Sequence, residues 1–191
     1  MAKTDAPFAT PPLHVFPAAN TDLARVIGDR AHRDAFHARL ASMNRYVVAL
    51  YRIGLLPLLG VGRTIMLLTT KGRKSGTPRS FPVGYFRIGG EIHLLSGWAK
   101  EANWYKNLVA APDDVALQVG FRRFPVEACV LVDREEILAT VGRLIKENPA
   151  AAHRLFGWDP LRDKWEHSDF SQVLDRVLFV KFTERKPLSR D

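Results

Sequence analysis

The chain has 191 residues, of which 47% are hydrophobic and 25% charged, a balance that is typical of one folded domain and excludes a wholly disordered chain. Lys and Arg outnumber Asp and Glu by 28 to 20, so the formal net charge of +8 favours anionic partners such as phosphorylated cofactors, anionic lipid or nucleic acid. The single cysteine, Cys129, cannot form an internal disulfide, and the N-terminal residues lack the apolar core of a signal peptide, so we expect a cytoplasmic protein. The longest apolar stretch, Val47–Val61, is shorter than the roughly 20 residues of a membrane-spanning helix.

The N-terminal third of the chain differs in pattern from the rest. Four prolines within residues 1–19 predict an extended arm, and the apolar spacing over residues 20–62 predicts N-terminal helices. Asn20 or Thr21 is suited to cap the first helix, and a second helical segment is predicted over Met43–Leu59. We expect residues 63–191 to form the main domain.

Residues 63–191 have the pattern of a strand-rich domain. Gly89-Gly90 separates two apolar segments as in a tight hairpin, whose turn requires residues that adopt positive φ. Helices are predicted over Ala102–Ala110 and over Glu135–Lys146, with Asp133 as the N-cap. Because the strands are short and mostly joined by turns, we predict an α+β fold, a mainly antiparallel small barrel with flanking helices, and not a Rossmann sheet. The predicted strands are Thr64–Thr70, Phe81–Ile88, Glu91–Leu95, Val115–Val119, Phe124–Val132 and Val177–Phe182.

The segment Lys71–Arg79 contains four cations, two glycines, a serine and a threonine. Arginine side chains bind anions bidentately, hydroxyls donate hydrogen bonds, and glycines allow backbone amides to point at phosphate oxygens. The segment is not a Walker loop, because Gly72 and Gly76 are one residue too close together and no Lys-Ser/Thr pair follows. The residues alone leave two interpretations open: a phosphate site, or a solvated basic loop between two strands.

The segment Ser96–Leu108 places two tryptophans, a tyrosine and two asparagines at a predicted junction between a strand and a helix. These side chains could hold a flat heterocycle by ring stacking and by hydrogen bonds to its edge. The alternative is structural, because Trp104 and Leu108 are four residues apart and would share the core face of a helix.

Taken together and in order, these segments resemble a known family. The resemblance to the deazaflavin-dependent nitroreductase family rests on Leu68–Arg79, Pro82, Tyr85, Ser96-Gly97, Asn103–Leu108, and Gly120 before Phe124. Members of this family are split β-barrel proteins, similar in fold to FMN-binding barrels, that bind coenzyme F420. The resemblance therefore implies a split-barrel, cofactor-binding domain over residues 63–191, preceded by a helical extension.

The resemblance also implies an activity and a set of site residues. The expected reaction is hydride transfer from reduced F420 to an electron-poor acceptor such as a quinone or a nitroaromatic compound. The residues expected to contact the phosphate and tail of the cofactor are Arg73, Lys74, Ser75, Gly76 and Arg79. The residues expected around the deazaflavin are Pro82, Ser96, Trp98, Trp104 and Asn107. A proton for the reduced product is expected from Tyr85, Tyr105 or solvent.

Two other functions are weighed against this one. The first is a split barrel that uses FMN in place of F420. The second is a non-catalytic carrier of cofactor or lipid at a membrane surface, because the apolar segment Val47–Leu59 is flanked by Arg45, Arg52 and Arg63. We expect a homodimer, no nucleic-acid partner and no protein metal site, and we expect Leu155–Phe170 to serve as a lid or a dimer contact.

Overall fold

The computed structural model describes residues 14–18, 21, 44–97 and 101–185. Most of the predicted N-terminal arm, the helical pattern between residues 22 and 43, and Trp98 lie outside the described residues. The predicted division of the chain into arm, helices and barrel therefore stays a prediction.

Strands are numbered in chain order through the described part. Buried and more exposed residues alternate in β6 and β7, as expected where one face of a sheet packs on a core, whereas β2, β5 and β9 contain continuous buried runs. They are β1 (His14–Val15), β2 (Ile65–Lys71), β3 (Pro78–Gly84), β4 (Phe86–Ile88), β5 (Glu91–Ser96), β6 (Val115–Val119), β7 (Arg122–Leu131), β8 (Ser168–Asp169) and β9 (Leu178–Glu184).

Helices precede and flank the sheet. Two short 3-10 turns, Val61–Arg63 and Trp165–His167, connect elements. The α-helices are α1 (residues 44–52), α2 (Leu55–Leu58), α3 (Asn103–Ala110), α4 (Arg134–Glu147), α5 (Pro149–Phe156) and α6 (Ser171–Arg176). The predicted cap of α4 is confirmed, because the Asp133 carboxylate accepts a 2.8 Å hydrogen bond from the Glu136 amide.

The main sheet has seven antiparallel strands in the order β3-β2-β6-β7-β9-β5-β4. Only Tyr85 separates the end of β3 from the start of β4, although these strands form the two opposite edges of the sheet. The two edges must therefore meet at Tyr85, so the sheet curls into a barrel whose seam is not closed by a hydrogen-bonded ladder between β3 and β4. The predicted split barrel is confirmed.

The prediction of one strand over Phe81–Ile88 is wrong. The chain leaves β3 at Gly84 and starts β4 at Phe86 on the other edge of the sheet. Strand β3 also begins earlier than predicted, at Pro78, inside the segment that was predicted as a loop. The predicted hairpin is confirmed, because Gly89 and Gly90 have φ of 59° and 82° in the turn between β4 and β5.

Because neighbouring strands run in opposite directions, the barrel has two distinct ends. One end, here called the basic end, holds the turn between β2 and β3, the last residue of β5 and the first residues of β6 and β9. Helix α3 connects β5 to β6 across this end. The opposite end, here called the far end, holds the hairpins at Gly89-Gly90 and at Gly120-Phe121.

A second core lies outside the barrel, against α4 and α5. Phe16 is 2% exposed and stacks on Phe170 with ring centroids 5.0 Å apart, and Trp158 lies 5.4 Å from Phe16 in the same cluster. Strand β1 pairs in parallel with β8 beside this cluster. The segment Leu155–Phe170 therefore contributes to this core, which sequence reasoning did not predict.

Candidate functional site

The segment Lys71–Arg79, here called the basic turn, contains the turn between β2 and β3 with the adjoining strand ends, and it is held by hydrogen bonds of its own backbone. The Gly72 amide donates to the Thr77 carbonyl at 2.9 Å, and the Gly76 amide donates to the Gly72 carbonyl at 2.7 Å. Gly76 has a φ of 67°, a region that favours glycine. Both glycine amides are therefore used within the turn. The amides of Gly72 and Gly76 are thus not the groups that would bind an anion at this turn.

Three exposed cations of this turn have no carboxylate partner among the described residues. Arg73, Lys74 and Arg79 form no ion pair there, whereas Lys71 is paired with Asp114 at 3.0 Å. Three charges close together and without partners repel one another, and a multiply charged anion would relieve that repulsion. The hydroxyls of Ser75 and Thr77, 2.8 Å apart, add hydrogen-bonding groups to the same turn. The turn therefore fits an anionic cofactor.

Helix α3 is fastened to the basic turn through asparagine side chains. The Asn107 Oδ1 accepts hydrogen bonds from the Arg73 amide at 3.3 Å and from Arg73 Nη1 at 3.1 Å. The Asn103 Oδ1 accepts from both terminal nitrogens of Arg73 at 3.4 Å. The two segments that were singled out from the sequence are thus in direct contact.

The aromatic residues of α3 differ in exposure. Trp104 is 7% exposed and packs with Leu108 in the barrel core, as the structural interpretation of their spacing predicted. Tyr105 is half-buried and lies edge-on to Trp104, with ring centroids 6.0 Å apart. Ser96, the last residue of β5, lies at the same end of the barrel and is half-buried. Ser96 and Tyr105 therefore have side-chain surface open to a ligand at the basic end.

Strand β3 presents its predicted site residues on two faces. Arg79 lies opposite Thr70 and shares the core face of the sheet with Leu68, whereas Pro82 lies opposite Leu67 on the outer face. The Cβ of an alanine at Gly72 would lie 3.2 Å from Arg79 Nε, so Arg79 packs closely on the turn. Arg79 is therefore grouped with the turn and α3, and Pro82 is separate from them.

The outer face contains a residue that sequence reasoning did not assign to the site. Arg52 Nη2 in α1 donates a 2.8 Å hydrogen bond to the hydroxyl of Ser80, which is also 2.8 Å from the hydroxyl of Thr69. Ser80 lies between Arg79 and Pro82 in sequence and on the same face as Pro82. From the sequence Arg52 was noted only as a cation beside the apolar segment Val47–Leu59, because its contact with β3 spans 28 residues and leaves no local signal.

Tyr85 is placed away from the basic turn. It follows β3 at the far end, roughly 20 Å along the strand from Arg79 at about 3.3 Å per residue. Its ring is 7% exposed, and its hydroxyl donates a 2.8 Å hydrogen bond to the Gly62 carbonyl. The structure therefore separates the two predicted proton donors, with Tyr105 at the basic end and Tyr85 at the far end.

A small cavity of about 160 Å³ opens at the far end, away from the basic turn and helix α3. Its walls include the rings of Phe124 and Phe182 and the charged side chains of Arg87, Glu91 and Glu184. None of the predicted site residues lines it.

No helix among the described residues is long and apolar enough to cross a bilayer.

Comparison with known proteins gives a family match and related sequences. A family model described as F420H(2)-dependent quinone reductase matches residues 44–155, more than half of the chain. Two Mycobacterium tuberculosis proteins, F420H(2)-dependent quinone reductases Rv1261c and MT1299, are each 33% identical over 88 residues, which are 44% of this chain. The chain spans 58% of the length of these curated relatives. A solved F420-H2 dependent reductase (FDR-A) has a TM-score of 0.40 and 25% identity, over 62% of this chain and 94% of that chain.

Proposed function

Because this chain belongs to the F420H(2)-dependent quinone reductase family, as the match over residues 44–155 shows, we propose that it reduces a quinone with reduced coenzyme F420. The membership confirms the F420-dependent family predicted from the sequence. The single observation that supports the proposal most is that the matched region includes the basic turn, Ser96 and helix α3. No observation favours FMN over F420 or a carrier over an enzyme.

The basic turn is the proposed binding site for the phosphate and tail of the cofactor. Arg73, Lys74 and Arg79 supply positive charge, and Ser75 supplies a hydroxyl. Gly76 allows the turn to reverse direction at a positive φ. Charge-assisted hydrogen bonds of this kind each contribute about 1.5–3 kcal/mol, so we expect three cations to favour the binding of a polyanionic cofactor.

When bound, reduced F420 supplies the hydride, so the protein has to position two flat molecules and exclude competing reactions. We propose that Ser96 lines the pocket at the basic end and that Asn107, which is 3% exposed, supports it through its contacts with Arg73. Pro82 lies on the outer face of β3, so its predicted contact with the deazaflavin is not part of this pocket. Trp98, also predicted there, lies outside the described residues. Trp104 supports this pocket from the barrel core, where its ring is 7% exposed. Tyr105 is the better placed proton donor of the two tyrosines, because the Tyr85 hydroxyl already donates to a carbonyl.

The test of the cofactor is a titration of the purified protein with oxidised and reduced F420, followed by tryptophan fluorescence, with FMN in parallel. The proposal predicts selective binding of F420, and selective binding of FMN would replace the cofactor. The test of the reaction is oxidation of reduced F420 in the presence of a soluble quinone, followed near 420 nm. Binding of F420 without turnover on any quinone would favour the carrier.

The proposal includes a contact between the protein and the membrane surface, because a quinone acceptor is apolar. Ile53, Leu58 and Leu59 are 70–75% exposed, and Phe121 of the β6–β7 hairpin is 72% exposed. The ring of Phe121 lies against Gly54, so the helical segment and the hairpin form one surface. We name this surface the apolar patch. The exposed arginines at its border are Arg63, Arg122 and Arg123.

Exposed apolar side chains beside arginines are typical of segments that lie on anionic lipid. Sedimentation with phosphatidylcholine vesicles, with and without phosphatidylglycerol, tests the contact. We expect binding that depends on the anionic lipid and that falls several-fold in the double variant Ile53→Ser, Leu58→Ser. The matched control is Leu161→Ser, since Leu161 is 97% exposed but lies outside the patch. A protein that stays in the supernatant with both vesicles would contradict the contact.

A homodimer is also part of the proposal. Strand β3 is an edge of the main sheet, with a ladder to β2 on one side only among the described strands, and such an edge favours pairing with another chain. Light scattering after size-exclusion chromatography measures the mass directly. A mass of about 43 kDa, twice the 21.5 kDa of the chain, is expected, and 21.5 kDa would contradict it.

A further inference from the structure

Asn107 is buried, and it holds Arg73 at two points. Asn107 is only 3% exposed, and its Oδ1 accepts one hydrogen bond from the backbone amide of Arg73 and another from Nη1 of Arg73. The first contact fixes where the turn leaves β2, and the second fixes the direction of the guanidinium. Asn103 accepts from the same guanidinium one helical turn earlier. Arg73 is therefore held by α3 both at its backbone and at its guanidinium group.

Arginines of this chain are held either by carboxylates or by neutral oxygens, the latter at Arg52 and Arg87 as well as at Arg73. Arg122, Arg134 and Arg185 are paired with carboxylates, which neutralise them. Arg73 is instead held by two neutral amide oxygens, and no carboxylate pairs with it among the described residues. Amide oxygens orient a guanidinium by hydrogen bonding and leave its positive charge uncancelled.

We infer that Asn107, assisted by Asn103, is a positioning residue that fixes Arg73 while leaving its charge available to the anionic part of the cofactor. The inference rests on the proposed F420 function and assigns to Asn107 a role that acts through Arg73. An aspartate at position 107 would hold Arg73 at least as firmly but would cancel its charge. A leucine there would remove the acceptor and release Arg73. The two substitutions therefore separate orientation from charge.

The experiment compares the wild type with Asn107→Asp and Asn107→Leu. Two quantities are measured in each protein: the Kd for F420 over a range of salt concentrations, and the hydrogen-exchange protection of the Arg73 amide. We expect Asn107→Asp to keep the protection, to bind F420 roughly 10-fold or more weakly and to show a shallower salt dependence. We expect Asn107→Leu to lose both the protection and the affinity. The matched control is Asn148→Asp, which adds the same charge at the start of α5.

Each outcome is decisive. Equal affinity and equal salt dependence in Asn107→Asp and the wild type would overturn the inference, and so would full protection of the Arg73 amide in Asn107→Leu. A similar loss of affinity in Asn148→Asp would show a general charge effect and would also overturn it. Failure of the wild type itself to bind F420 would instead refute the proposed function. The two failures are therefore distinguishable.

Discussion

Arg52 and Ser80 are joined by a 2.8 Å hydrogen bond that connects helix α1 to strand β3 directly after the basic turn. Ser80 in turn contacts the hydroxyl of Thr69, so three polar side chains form a chain across α1, β3 and β2. The matched family region begins at residue 44, the first residue described in α1. These hydrogen bonds connect α1, at the start of the matched region, to the strand that carries Arg79 and Pro82.

Removal of cations from the basic turn is expected to weaken cofactor binding. Arg73→Ala and Lys74→Ala should each raise the Kd for F420 by at least 10-fold, because a charge-assisted contact contributes about 1.5–3 kcal/mol. Arg52→Ala should have a smaller effect, since Arg52 lies on the outer face of β3. Fluorescence titration measures each Kd, with Arg154→Ala, an exposed residue of α5, as the control. Unchanged affinity in both turn variants would remove the turn from the site.

The two glycines of the basic turn are expected to differ. An alanine Cβ at position 72 would lie 2.8 Å from the Ser75 hydroxyl and 3.1 Å from the Thr77 carbonyl, so the turn has to shift. At position 76 an alanine Cβ meets open space, and the only cost is its positive φ, about 1 kcal/mol. Gly72→Ala should therefore lower the affinity for F420 more than Gly76→Ala does. We expect the two variants to have similar melting temperatures. Equal affinities would show that the turn adapts without loss.

The tyrosines are expected to separate stability from activity. Tyr85→Phe removes the hydrogen bond to Gly62 and should lower the free energy of unfolding by about 0.5–1.5 kcal/mol, with kcat unchanged. Tyr105→Phe should lower kcat and leave stability nearly unchanged, since its side chain is half-buried. Quinone reduction and denaturant titration of both variants provide the comparison. A loss of kcat confined to Tyr85→Phe would reverse the assignment.

His93 should make the protein less stable in mild acid. Burial lowers the pKa of this imidazole below its ordinary value, and this effect outweighs the contacts with Glu91, which act in the opposite direction. The unfolded chain therefore binds a proton more readily than the folded protein, and the free energy of unfolding falls as the pH decreases through about 6.5. Denaturant titrations at pH 7.5 and 5.5 measure this fall, which His93→Gln should reduce. An unchanged pH dependence in the variant would assign the effect to other groups.

Asp163 is expected to fasten β1 to the second core. Its carboxylate accepts hydrogen bonds from Arg162 and from His14 Nδ1, the latter at 2.8 Å, and the Arg162 contact is the main cause that lowers its pKa. Its contribution is thus present above the ordinary carboxyl pKa and is lost as the pH falls below that value. Asp163→Asn should destabilise the protein by about 1–3 kcal/mol and speed hydrogen exchange at the Phe16 amide, which donates to Asp169. Unchanged exchange at Phe16 would show that the pair does not hold β1.

Local signals in the sequence predicted the parts of the fold that depend on local interactions. The Gly89-Gly90 turn and the Asp133 cap need only neighbouring residues, and both are confirmed. The break at Tyr85 was missed, because residues 81–88 have uniform strand composition and the chain changes sheet edge for a tertiary reason. Helix α5 was also missed, although Pro149 stands at its first turn, a common helix-start signal.

For the candidate site, the sequence identified the charges but not their arrangement. The cations of Lys71–Arg79 and the asparagines of α3 were both singled out, and the structure shows that Arg73 and Asn107 are in contact. The separation of Arg79 and Pro82 onto two faces depends on the register of β2 and β3, which the composition does not determine. Arg52 was missed as a contact of β3 because that contact joins residues 28 positions apart and leaves no local signal.

The position of β9 in the main sheet determines when the barrel can be completed. Strand β9 (Leu178–Glu184) lies between β7 and β5 and pairs with both, although it is the last strand in the described chain. Before β9 is synthesised, β3-β2-β6-β7 and β5-β4 can form only as two separate ladders with unpaired inner edges. A nascent chain at that stage exposes the apolar barrel interior, and such edges favour aggregation. We therefore expect the barrel to close only once β9 is available, and this long-range pairing slows folding.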